Sequence, residues 1–193
     1  VNFFFLARPG CTLDSGRKSY GSYKETRRAK TNYKWEKLEL VAKAAQNLKK
    51  YYNADNLIMI GHSGGALTSA TINSRVPKLI DKSILISCPC DFEKWRKMRG
   101  ESVYKMKTSP HKNISGISKD SHTIIIVGKN DINTFPILSK KYHKMLISSG
   151  LKSELHIIEG KHSSSSLINL SNLIKKYIDW DSSIGFPPPF VAK

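Results

Sequence analysis

The sequence predicts an α/β protein with a mostly parallel sheet and helices on both faces. Two observations carry this. Short, β-branched apolar runs alternate with helix-forming stretches along most of the chain, and strands separated by helices imply parallel crossovers with both sheet faces covered. The length, 193 residues, suits one compact domain over residues 1–193 with a full hydrophobic core.

Residues 1–7 open on an aromatic and β-branched run that Pro9-Gly10 punctuates, so a buried strand is expected there. Residues 11–30 are polar with no period and are expected to form a long surface loop. Trp35, Leu38, Val41, Ala42, Ala45, Leu48 and Tyr52 recur at three-to-four spacing, the mark of one buried face on a helix over 33–51. A strand at 56–60, a Gly-rich turn at 61–65 and a helix from 66 to 75 follow. The alternation continues with a strand at 83–87, a basic segment at 91–120 and a strand at 123–127. A helix at 136–149, a strand at 154–158 and a helix at 164–177 complete it. Three consecutive prolines between Phe186 and Phe190 exclude helix and suggest an extended tail.

No apolar run approaches the roughly 20 residues needed to span a bilayer, so no transmembrane segment is expected. No basic segment precedes residues 1–7 and no small-residue cleavage site follows them, which leaves the cytoplasm as the default location. Net charge is +17, yet only 7 of the 32 cations are Arg and the lysines are scattered, which argues against nucleic acid as the partner. The three cysteines, Cys11, Cys88 and Cys90, cannot build a disulfide framework or a four-thiolate zinc site. With one residue between them, Cys88 and Cys90 are expected to be buried thiols rather than a pair. There is no dinucleotide fingerprint, P-loop or zinc-type His-Glu pairing, so neither cofactor nor metal is expected.

Chemistry is concentrated at three strand ends. Gly61-His62-Ser63-Gly64-Gly65 fits G-x-S-x-G between an apolar strand and a helix, the context in which this pattern makes a strained turn that exposes a serine hydroxyl. Small residues two before and two after the serine are expected to let neighbouring backbone approach. Asp131 follows the strand at 123–127 and His162 the strand at 154–158. A parallel sheet puts all carboxyl ends on one edge, so Ser63, Asp131 and His162 should meet there as nucleophile, orienting carboxylate and base.

The order Ser, Asp, His, with Val127-Gly128-x-x-Asp131 and Gly160-x-His162, resembles the α/β-hydrolase superfamily over nearly the whole chain, as does Arg8-Pro9-Gly10 followed by Ser15-Gly16. The resemblance is to its serine hydrolases of esterase and prolyl-oligopeptidase type. It implies Ser63 as nucleophile, His162 as general base and acid, Asp131 as its orienter and the Gly64 N–H as one oxyanion donor. The implied activity is cleavage of an ester, thioester or peptide bond through an acyl-enzyme, with a small ester or short peptide as substrate. The family's second oxyanion donor follows an earlier strand, and none precedes residue 1. An N-terminally truncated chain that starts at the family's fourth strand is therefore expected.

Asp91 is the alternative acid, because some relatives supply it from the preceding strand. His62 is expected to pack within the turn rather than to move protons. His111, His122, His143 and His156, with no carboxylate at ligand spacing, are expected to be surface or core histidines. The basic segment 91–120 is either a solvated face or a small lid, and a lid would favour anionic substrates. The rival function is a non-catalytic protein of this fold that binds an acidic partner through its basic surface.

Overall fold

Helix formation in the N-terminal part follows the predicted spacing. In a computed structural model, which describes residues 2–6, 16, 33–103 and 105–178, helix α1 runs Trp35–Tyr51 and buries Leu38, Val41, Ala42 and Ala45. Lys43 pairs with Glu39 one turn back at 3.1 Å, and Lys49 and Lys50 lie in the last turn, where cations oppose the helix dipole. This helix belongs to a compact unit within Asn2–Leu57, distinct from a second that starts at Ile58.

The expected strand at 1–7 is not formed over residues 2–6, which have no regular secondary structure, and Phe5 is 58% exposed. Strand propensity expresses fit to a paired, half-covered surface rather than an intrinsic backbone preference, and Phe4, Phe5 and Leu6 are exposed here. Phe4 instead sets its ring 5.0 Å from Tyr52. Residues 7–10, the loop at 11–30 apart from Gly16, and the proline-rich end lie outside the described residues.

Among its described residues the second unit holds four parallel strands in sequential order, β1 (Ile58–His62), β2 (Lys82–Ile86), β3 (His122–Gly128) and β4 (Lys152–Ile158). Their first residues are in line, Ile58 beside Lys82, Lys82 beside His122 and His122 beside Lys152, so their carboxyl ends share one edge. The crossovers are α2 (Gly64–Arg75), α3 (Phe92–Met98) and α4 (Pro136–Ser148), and α5 (Leu170–Lys175) follows β4.

Period-two alternation sorts the apolar residues into two cores. Leu85 and Ile125 pack with Ala66, Ala70, Tyr142 and Leu146 on one face, while Ile84, Ile86, Ile124 and Ile126 pack with Leu170, Ile174 and Tyr177 on the other. β2 and the body of β3 are buried through both faces, which is why they read as continuous apolar runs.

Three expectations are corrected. The helix expected at 164–177 is broken into a 3₁₀ turn, Ser164–Ser166, and α5, with Asn169 left-handed at φ 61° between them. The serines cause the break: Ser166 Oγ donates to the Ser163 carbonyl at 2.7 Å and accepts from the Lys161 N–H, side-chain bonds that compete with the helical ladder. Cys88 and Cys90 form a disulfide, because the chain bends at Pro89 enough to bring their Cα atoms to 5.2 Å, within the span that a disulfide bridges. Of the basic segment 91–120, the later part is core rather than cover. Met106, Ser109, Pro110, Ile114 and Ile117 are buried, and Gly116 lies so close to α2 that a Cβ there would be 2.0 Å from the Ser74 carbonyl oxygen.

Candidate active site

The turn after β1 is steeper than ordinary residues adopt. Ser63 sits at φ 52°, ψ −114°, outside the regions open to L-residues without strain, and the chain enters α2 at Gly64. The Ser63 N–H donates to the Ile86 carbonyl of β2 at 2.8 Å, and the Ser63 carbonyl accepts from Leu67 N–H as the first bond of the helix. The crossing depends on Gly61, where a Cβ would stand 2.4 Å from the Gly65 carbonyl. Only one of the two flanking glycines is required sterically, since a Cβ on Gly65 meets nothing within 4 Å. Gly64 opens α2, so its N–H is among the first-turn donors with no partner inside the helix.

Two further glycines bring the acid and histidine loops together. A Cβ on Gly128, at the end of β3, would lie 2.5 Å from the Lys161 carbonyl, and one on Gly160, at φ 136°, would lie 2.3 Å from the Ser166 carbonyl. Bare backbone at both places lets Lys129 N–H reach the Ile158 carbonyl at 2.7 Å and Asn130 N–H reach the Gly160 carbonyl at 3.0 Å. The loops are thus locked as one surface.

On that surface Asp131 is buried and fully engaged. Its Oδ1 accepts the backbone N–H groups of Asn133 and Thr134, each at 2.8 Å. Its Oδ2 accepts the Thr134 hydroxyl at 2.7 Å and His162 Nδ1–H at 3.0 Å. Burial by itself would raise the pKa of this carboxyl, but the bonds from His162 and Thr134 outweigh it and hold the pKa at about 2.

A depressed carboxyl pKa stabilises the fold above its unfolded value, and that contribution is lost as pH falls through the folded value. The stability gap between the wild type and Asp131→Asn is therefore expected to be full at neutral pH. It should shrink between about pH 4 and pH 2, by on the order of 2 kcal/mol. Urea unfolding midpoints of both proteins across that range check this, and a gap independent of pH would contradict it.

His162 completes the chain of contacts, its Nε2 lying 3.0 Å from Ser63 Oγ. With a carboxylate facing Nδ1, the proton belongs on Nδ1 and the Nε2 lone pair faces the serine hydroxyl, an assignment that follows from the hydrogen-bond network. The structure thus brings Ser63, His162 and Asp131 into hydrogen-bonded sequence.

His62 turns away from the serine and donates Nε2–H to the His162 carbonyl at 2.7 Å, with the two rings 5.0 Å apart. Burial lowers the pKa of His62, so it acts as a neutral clamp on the backbone that carries His162.

Asp91 is held elsewhere. It caps α3 through Lys94 N–H at 3.1 Å, pairs with Lys141 at 2.8 Å and lies 3.6 Å from His111. His122 and His156 do have a carboxylate neighbour, contrary to their spacing in sequence. Glu154 lies 3.1 Å from one and 3.6 Å from the other, because β3 and β4 pair in register. No metal-holding group of His, Cys, Asp and Glu occurs among the described residues.

Thr134, Asn133 and Trp95 carry site contacts that no sequence pattern singles out. Asn133 is a junction: its N–H serves Asp131, its carbonyl accepts Trp95 Nε1–H at 2.9 Å, and its Oδ1 accepts from Arg99. Helix α3 is thereby tied to the acid loop.

No protein-family profile and no curated protein matches the sequence. Solved structures do. Esterase PE8 aligns at 20% identity and TM-score 0.53 over 74% of this chain and 63% of its own. A puromycin-hydrolyzing peptidase of Mycobacterium tuberculosis aligns at 16% identity and TM-score 0.57, over 65% of this chain and 22% of its own. An acylaminoacyl peptidase in complex with Z-Gly-Gly-Phe-chloromethyl ketone aligns at 12% and 0.60, over 79% and 28%. The chain has the α/β-hydrolase fold. It spans less than two thirds of the length of each of these three proteins. Among the described residues, no helix is long and apolar enough to cross a membrane.

Proposed function

We propose that the chain is a serine hydrolase that cleaves an ester, thioester or peptide bond through an acyl-enzyme intermediate. The observation that carries this reading is the contact sequence Ser63 Oγ to His162 Nε2 and His162 Nδ1 to Asp131 Oδ2, each 3.0 Å, on a strained turn at the mouth of a helix. Such a serine has a base to take its proton, and the base has a buried anion to stabilise its charged form.

Ser63 Oγ attacks the substrate carbonyl carbon while its proton passes to His162 Nε2, and the carbonyl oxygen becomes an oxyanion that the Gly64 N–H meets. The intermediate collapses, the carbon–leaving group bond breaks, and Nε2–H protonates the departing alcohol, thiol or amine. Water then attacks the acyl ester and gives its proton to His162. Ser63 regains a proton as the carboxylic acid leaves. The esterase and peptidase names of the structural neighbours agree with acyl transfer from either oxygen or nitrogen. The basic segment 91–120 includes the cap of this reading, and the bonds from Trp95 and Arg99 of α3 to Asn133, which tie that helix to the acid loop, support it.

Rapid mixing with p-nitrophenyl acetate tests the reading. The expected result is a burst of p-nitrophenol near one equivalent, with an acetyl mass increment that Ser63→Ala lacks. A folded chain with neither burst nor increment would overturn it in favour of a binding role.

A further inference from the structure

Thr134 is completely buried, and its side chain stands between the two groups whose alignment matters most. Its Oγ1 lies 2.7 Å from Asp131 Oδ2 and 3.1 Å from His162 Nδ1, while its N–H occupies Asp131 Oδ1. An ionised carboxylate only accepts, so the hydroxyl proton must point to Asp131. The hydroxyl lone pairs are then left facing Nδ1–H, and both oxygens near Nδ1 are acceptors.

We propose that Thr134 is a positioning residue of the site, whose hydroxyl pins Oδ2 of Asp131 in line with His162 Nδ1 and tempers the charge that the carboxylate presents to the imidazole. The proposal rests on the serine-hydrolase reading for its catalytic consequence, but its geometry and its effect on His162 do not.

Removing the hydroxyl acts on His162 in two opposite senses. Losing the donor leaves Oδ2 richer in charge and favours the protonated imidazole, whereas losing the lone-pair acceptor disfavours it. The first contact is the shorter one, and Nδ1–H already has Oδ2 as its nearer acceptor, so the hydroxyl matters less to it as an acceptor and the donor effect prevails.

Thr134→Val keeps the volume and deletes the hydroxyl. In p-nitrophenyl acetate turnover, kcat is expected to fall about tenfold with KM within about twofold, a loss confined to the transition state. The acid limb of the pH profile should move upward by about half a pH unit. Thr134→Ser, which keeps the donor, should restore both. The titratable groups facing His162, Asp131 and His62, and the adjacent Lys161 are unchanged in every variant.

NMR titration of the His162 ring, assigned with His162→Gln, reads the same displacement without turnover. An inactive wild type would therefore sink the hydrolase reading and leave this proposal decided by the ring titration. A folded Thr134→Val whose ring titration matches the wild type would overturn it, as would a rate loss that Thr134→Ser does not repair. Should the valine variant fail to fold, Thr134→Cys, with a weak donor at similar volume, takes its place under the same criteria.

Discussion

Replacing Asp131 by asparagine is expected to lower kcat by about three to four orders of magnitude while the fold stays intact. The hydrogen bonds around the carboxylate dictate how the amide must sit. Oδ1 receives two backbone N–H groups and has to remain an oxygen, so the NH₂ falls at the Oδ2 position, facing His162 Nδ1. An amide donor there demands a lone pair on Nδ1 and moves the imidazole proton to Nε2. That proton then points at Ser63 Oγ, and the base is gone. Thr134 can rotate to accept the second amide hydrogen, so the amide keeps a partner at each hydrogen, and the loss of the Thr134 donor's carboxylate acceptor costs stability without unfolding the site. Steady-state rates together with circular dichroism check the prediction. A folded variant within tenfold of the wild type would show that Asp131 does not orient the base. It would send the search back to Asp91, although Lys141 and the Lys94 N–H occupy that carboxylate.

The second large effect is steric. Gly61→Ala places a methyl carbon 2.4 Å from the Gly65 backbone, where no flexible side chain can yield, so either β1 or the start of α2 must shift. The expected cost is about 3 kcal/mol or more, with loss of Ser63 reactivity, because the same displacement relaxes the strained φ that presents the hydroxyl. Gly65→Ala is the matched control. Its Cβ enters open space within a helix, so stability should be unchanged or higher by up to about 1 kcal/mol. Denaturation midpoints of the two variants separate the outcomes. Equal midpoints would show that close approach of backbone is not what Gly61 provides.

Much of the fold was legible because it rests on local signals. The apolar runs at β2 and β3 are buried through both faces and are hard to mistake, and the strand, glycine-rich turn and helix around Ser63 are contiguous. Parallel topology then carries Ser63, Asp131 and His162 to one sheet edge, although the serine and the histidine are 99 positions apart. What escaped depends on contacts between loops. Gly128 and Gly160 look like ordinary turn residues, and only the approach of the Lys161 and Ser166 carbonyls reveals why a side chain is excluded. Thr134 looks like any hydroxyl residue three places after an aspartate. The helix expected over 164–177 is broken because the serines at 163–166 bond the backbone in place of the helical ladder. At residues 2–6, β-propensity points to a strand where the backbone has no regular secondary structure and the phenylalanines are exposed.

The central claim is that Ser63 is activated by His162, and labelling with a fluorophosphonate probe tests it most directly. The account predicts one covalent label on the wild-type chain, mapped to the peptide that contains Ser63, and none on Ser63→Ala or His162→Ala. A folded wild-type chain that takes no label, or a label that persists in Ser63→Ala, would contradict it.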